Sequence, residues 1–114
     1  MTSTPKDTAL SDAITTRRDD LIVLTQDLIR IPTLNPPGNN YREICEYLDV
    51  RLRKSGFQTE LIRAYGTPGD SDKYPRWNIV ARREGGQSGD CVHFNSHTDV
   101  VEVGNGWTKD PFGG

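Results

Sequence analysis

The residues best able to do chemistry lie together in the run Cys91-Val92-His93-Phe94-Asn95-Ser96-His97-Thr98-Asp99-Val100-Val101. Side chains alternate faces along an extended chain, so His97 and Asp99, two positions apart, project to the same side. A neutral imidazole is the commonest protein ligand for zinc. A carboxylate next to it can hold the ring in one tautomer and raise metal affinity. The spacing predicts that the pair sits at the C-terminal end of a strand, where open α/β sheets bind their ligands. By itself a His-x-Asp is a weak signal, because a catalytic zinc normally takes three protein ligands. His93, four residues before His97, reads as a strand residue, packed or partly exposed, and not as a second ligand.

The neighbouring candidates have plainer readings. Asp110, before Pro111, reads as a turn former and not as a catalytic acid. Trp107 and Phe112 read first as aromatics that pack down a glycine-rich loop, with lining of a substrate cleft as the alternative. The Arg82-Arg83 pair and the Arg51, Arg53, Lys54 group read as solvated faces. No Gly-x-Gly-x-x-Gly or phosphate-loop pattern occurs, so a nucleotide cofactor has no support.

The elements that must position these residues follow from periodicity and punctuation. Residues 1–10 read as a frayed, flexible tail, since Ser, Thr, Pro and Lys there offer nothing to bury. A helix is predicted over 12–31, with Ile14, Leu21, Thr25 and Leu28 near one face, Ser11 or Asp12 as cap, and Pro32 as its stop. Three prolines then make residues 32–38 a loop. A second helix is predicted over 40–55. Asn40 and Glu43 have the spacing of a capping box, and Tyr41, Ile44, Cys45, Leu48 and Leu52 form one apolar stripe. Gly56 stands where a left-handed closing residue belongs, followed by Phe57 as in a Schellman motif. Strands are predicted over 57–63, 77–82 and 90–95, the last two close enough to pair like a hairpin. This order predicts an α/β or α+β layer with helices packed on a sheet.

Composition narrows the function further. The 114 residues suit one small domain. Only 33% are hydrophobic, a lean share even when the 11 glycines are added. Fourteen basic against 16 acidic side chains leave a net charge of −2, which excludes the broad basic surface of a nucleic-acid binder. The longest apolar run, Leu21-Ile22-Val23-Leu24, is far too short to span a bilayer. The polar N-terminus lacks the apolar core of a signal peptide. Cys45 and Cys91 show neither metal-ligand spacing nor a disulfide framework, so both read as reduced cysteines of a cytoplasmic protein.

A wider set of motifs carries a resemblance. His97-Thr98-Asp99-Val100-Val101, then Trp107 and Asp110-Pro111-Phe112, is similar to the N-terminal part of a di-zinc metallopeptidase and amidohydrolase family. That family contains acetylornithine deacetylase, succinyl-diaminopimelate desuccinylase, aminoacylases and glutamate carboxypeptidases. Upstream, Ile31-Pro32-Thr33, Asn35-Pro36-Pro37-Gly38 and Asn78-Ile79-Val80-Ala81 also resemble it, so the likeness runs over about residues 20–114. The resemblance implies that residues 11–114 are the N-terminal portion of a mixed-sheet zinc-hydrolase catalytic domain. It implies His97 as a metal ligand and Asp99 as a catalytic-site carboxylate that positions the metal from behind. Two zinc ions per complete site are implied, with cobalt able to substitute, along with a glutamate general base. Such a pair of metals activates water and polarises the scissile carbonyl.

The implied activity is hydrolysis of the amide in an N-acyl amino acid, of the acetylornithine deacetylase or succinyl-diaminopimelate desuccinylase type. The partner is then a small-molecule substrate, with no nucleic acid and no membrane, and the full-length protein could form a homodimer. A metal-dependent dipeptidase or carboxypeptidase of the same family is the near alternative, and a non-catalytic α/β fragment or binding module the distant one. The family's bridging aspartate, paired glutamates and other ligands stand further downstream, so the chain is expected to be a piece of a longer protein. Glu102 departs from the proline many relatives carry after Val-Val, which bears only on the local loop.

Overall fold

In the computed structural model, which describes residues 4–114, the first helix starts before the sequence pattern predicts. Thr4 accepts a hydrogen bond from the Asp7 backbone N–H, and the Asp7 carboxylate accepts one from the Thr4 N–H at 2.9 Å. With Pro5 in the first turn, this reciprocal cap begins α1 over Pro5–Thr16. Residues 5–10 are thus helical and not a frayed tail. The signal was Thr4-Pro5-Lys6-Asp7, a capping box with Asp in the place usually held by Glu or Gln.

The single helix predicted over 12–31 is two. α1 ends at Thr16, Arg17 leaves helical geometry, and α2 runs over Arg18–Ile29. Thr15 and Thr16 supply the cause: their hydroxyls donate to the carbonyls of Ser11 and Asp12 at 2.9 and 2.8 Å. Such back-bonding by threonine loosens and bends a helix. Ser11 and Asp12, the predicted caps, lie inside α1. α1 and α2 form one unit with Trp107–Gly114. There Arg30 donates from Nε to the Gly113 carbonyl at 3.2 Å and pairs with Asp27 at 3.1 Å. No described residue of α1 or α2 is buried.

The second unit spans Ile31–Gly106. Its helix, α3 over Tyr41–Lys54, matches the predicted element closely. The apolar stripe faces inward: Ile44 and Cys45 are buried at 3% and 2% exposure, and Tyr41, Leu48 and Leu52 are half-buried. The solvated side carries the ion pairs Arg42–Glu46 and Asp49–Arg53 at 2.7 and 2.9 Å. Gly56, at φ 84°, closes the helix, with its N–H bonded to Arg53 and the Phe57 N–H to Leu52, both at 3.0 Å. That is the Schellman pattern. The N-terminus differs from expectation. Asn40 is left-handed at φ 58° and makes no side-chain cap, because its amide donates instead to the Pro32 carbonyl at 2.8 Å.

α3 packs on an antiparallel pair, β1 over Gln58–Arg63 and β2 over Trp77–Arg82. Thr59 faces Ala81, Leu61 faces Ile79 and Arg63 faces Trp77, and these alternate residues are the half-buried ones. Glu60, Ile62, Asn78 and Val80 point to the exposed face. The loop between the strands is tied by Asp70. Its carboxylate accepts from the Arg63 guanidinium, from the Arg76 N–H at 3.1 Å and from the Gly66 N–H at 3.0 Å. These donors hold the Asp70 carboxyl below its ordinary pKa, the Arg76 backbone bond contributing most.

The third predicted strand does not form. Residues 90–95 pair with nothing in a ladder, and Val92 and Phe94 are 75% and 89% exposed. Among the described residues the sheet is one antiparallel pair, part of the α/β layer and not by itself the mixed sheet implied for the larger domain. The one parallel pairing is an isolated bridge between Leu34 and Val100. A segment whose side chains find no sheet face to cover gains too little to order its backbone. His93 accordingly lies exposed outside any strand.

Two stability outcomes follow from this unit. Ile44→Ala should lower its unfolding free energy by about 2–5 kcal/mol, read from the urea midpoint. Because the Asp70 pKa is lower folded than unfolded, its stabilisation is complete above the unfolded value and disappears as pH falls through the folded one. Wild type should therefore lose stability below about pH 4, and Asp70→Asn should flatten that loss while lowering stability at neutral pH.

Candidate functional site

His97 and Asp99 are held by a loop that precedes them by more than sixty residues. Residues 33–35 and 98–100 bond reciprocally. The Val100 N–H donates to the Thr33 carbonyl at 3.0 Å, and the Asn35 N–H donates to the Val100 carbonyl at 2.9 Å. Thr33, only 2% exposed, adds its hydroxyl to the Thr98 carbonyl at 2.6 Å. The prolines that exclude helix from this loop shape it into a ledge. Asn35–Pro36 and Pro36–Pro37 are cis, and the N–H groups of Gly38 and Asn39 both turn back onto the Leu34 carbonyl.

On that ledge the predicted pair comes together. His97 Nδ1 lies 3.0 Å from Asp99 Oδ1 and 3.0 Å from the Asp99 carbonyl. Both neighbours are oxygens that only accept, so Nδ1 carries the proton, and in the neutral form of the ring the lone pair is at Nε2. The imidazole is 84% exposed and the Asp99 side chain 34%. The same-face projection read from the spacing therefore holds, although no strand precedes it.

Asp99 is anchored from its other oxygen. Asn35 Nδ2 donates to Asp99 Oδ2 at 2.9 Å. This bond is the leading reason the Asp99 carboxyl sits below its ordinary pKa, with partial burial opposing the shift. Arg76 donates to Asn35 Oδ1 from Nη1 and Nη2 at 3.2 and 3.3 Å, and to the Pro37 carbonyl at 3.3 Å. Its guanidinium lies 5.0 Å from the Tyr41 ring centre. Burial, then the Asp99 charge, pushes the Tyr41 hydroxyl above its usual range.

Sequence reasoning found His97 and Asp99 but missed Thr33, Asn35, Tyr41 and Arg76 as their supports. The available signal was Thr33 and Asn35, two small side chains with hydrogen-bonding capacity set among prolines. Nothing in the spacing pointed to Arg76. Asp110 behaves as expected, its carboxylate accepting the Phe112 N–H at 3.0 Å in a turn. Trp107 is 59% exposed and Phe112 half-buried.

The donor chemistry fits the first ligand of a zinc site: an exposed Nε2 lone pair with a carboxylate behind the ring. It is one ligand and not a set. Among the described residues no group of three or more His, Cys, Asp or Glu could hold a metal ion. Cys45 and Cys91 are free, one buried and one exposed. Among the described residues no helix is long and apolar enough to cross a membrane.

Known proteins agree with this picture of a hydrolase segment. The chain is 35% identical over 97 residues to succinyl-diaminopimelate desuccinylase of Cereibacter sphaeroides, covering 83% of this chain and 22% of that protein. The desuccinylase of Methylobacterium radiotolerans is 39% identical over 97 residues, 84% of this chain and 22% of the relative. That of Rhodospirillum rubrum is 32% identical over 94 residues, 82% of this chain and 22% of the relative. No protein-family model matches the chain, and no solved structure does. The chain belongs to the amidohydrolase family that contains succinyl-diaminopimelate desuccinylase, and spans about a fifth of the length of the curated relatives it matches.

The Thr33 hydroxyl can be tested directly. Thr33→Val keeps the shape and removes the donor to Thr98, which should cost about 1 kcal/mol. Amide exchange at Val100, whose N–H bonds to the Thr33 carbonyl, should speed up about fivefold, while amides inside α3 change less.

Proposed function

We propose that the whole protein hydrolyses the amide bond of an N-acyl amino acid of the N-succinyl-diaminopimelate kind, with zinc, in the cytoplasm. His97 would be one zinc ligand through Nε2, and Asp99 the carboxylate that orients it. The observation that carries this reading is the His97–Asp99 geometry. An exposed imidazole has its Nδ1 proton committed to Asp99 and its other nitrogen turned out. The desuccinylase names of the relatives support deacylation over the peptidase alternative.

When bound, zinc would polarise a scissile carbonyl and lower the pKa of water at the site. The residues of this chain do the preparatory work. Asp99 keeps the His97 ring in the tautomer a metal requires and stays ionised through the neutral range. Asn35 holds that carboxylate in place. The ledge of residues 33–38 carries the segment 98–100 through the bonds of Thr33 and Asn35. With a single candidate ligand among the described residues, the activity belongs to the full-length protein and not to these residues alone.

The test is His97→Ala in the full-length protein, with zinc content and hydrolysis of N-succinyl-diaminopimelate measured together. Zinc affinity should fall by more than the roughly 10–100-fold that losing an outer partner costs, and activity with it. Unchanged zinc content and unchanged rate would remove His97 from the site.

A further inference from the structure

We propose that Asn35 and Arg76 are positioning residues for Asp99, a two-link relay that assigns one carboxylate oxygen to Asn35 and leaves the other for the His97 ring. The inference rests on the reading of His97 and Asp99 as site residues given above, and it names what sets their geometry.

The argument is one of donors and acceptors. A guanidinium only donates, so the atom of Asn35 that receives both Arg76 Nη groups must be its amide oxygen. That choice turns the Asn35 NH2 the other way, onto Asp99 Oδ2 at 2.9 Å. With Oδ2 occupied, Oδ1 is the oxygen that meets His97 Nδ1 at 3.0 Å. Each link removes one freedom: the amide flip of Asn35, then the rotation of the Asp99 carboxylate, then the tautomer of His97. The hydrogen bonds run from Arg76 to Asn35 to Asp99 to His97, so the relay acts on the ring through Asp99.

Arg76 is itself fixed more tightly than a surface arginine would be. Its backbone N–H is bonded to Asp70 at 3.1 Å. Its guanidinium lies in a slot between two glycines, and a Cβ on Gly38 would overlap Nη1 while one on Gly69 would overlap Nη2. Both glycines have positive φ, 107° and 80°, so side chains are disfavoured there twice over. The Tyr41 ring, 5.0 Å from the guanidinium carbon, supplies a cation–π contact. A lysine could not replace it, since an ammonium lacks the planar fork that serves Asn35 Oδ1 and the Pro37 carbonyl together.

The discriminating variant is Asn35→Asp. It keeps the size and gives Arg76 a carboxylate to hold, but sets an acceptor against Asp99 where a donor stood. The readout is the His97 tautomer in the 114-residue chain, from long-range 1H–15N correlations of the imidazole ring. Wild type should show the Nδ1–H form as the major species. Asn35→Asp should lose that preference while α3 and strand amide signals stay in place. Should Asn35→Asp not fold, Asn35→Ser, which removes the donor without adding charge, is read the same way. A folded variant with wild-type tautomer populations, or a wild type dominated by Nε2–H, would overturn the relay. The outcome is separable from that of the zinc reading. A tautomer shift together with normal zinc content in His97→Ala would keep the relay and discard the metal, and the reverse result would do the opposite.

Discussion

The geometry around His97 depends on a single asymmetry of hydrogen-bond chemistry: arginine can only give protons and an ionised carboxylate can only take them. Asn35 lies between one of each, Arg76 on its oxygen and Asp99 on its nitrogen. An amide is the only short, uncharged side chain with a donor and an acceptor at opposite ends of one plane. This explains why an asparagine stands at the start of a proline-rich turn, where its own N–H is also spent on Val100. The prolines give up backbone donors that such a crowded loop could not satisfy.

Much of the fold was legible because it is local. The α3 stripe, its glycine closure and the two strands each announce themselves within a dozen residues, and the structure returns them nearly residue for residue. The misses have physical reasons. The start of α1 turned on an aspartate doing a glutamate's work in the cap. The break at Arg17 came from two threonines bonding backwards onto the helix. The failure of residues 90–95 to pair shows the limit of alternation as a signal: Val92 and Phe94 have the pattern of a strand, but a pattern does not supply a neighbour.

The site divides in the same way. His97 and Asp99 were visible because they are two residues apart on an extended chain. Their supports were not, because Asn35 precedes Asp99 by 64 positions and Arg76 reaches Asn35 across 41. Neither distance leaves a periodic trace. Glycines 38 and 69 look like ordinary turn residues until the guanidinium between them is seen. Their lack of side chains serves a packing need of Arg76 as much as a backbone one.

The bonds from Thr33 to Thr98 and from Asn35 to Asp99 each close a loop of about 65 residues, with α3 and both strands inside it. Closing a long loop costs entropy that grows only slowly with length, but it must be met before the contact returns anything. Helix and hairpin contacts, being near in sequence, form with less loss. The Thr33–Thr98 and Asn35–Asp99 bonds are thus the costliest contacts of this unit in loop closure, and the orientation of the imidazole rests on them.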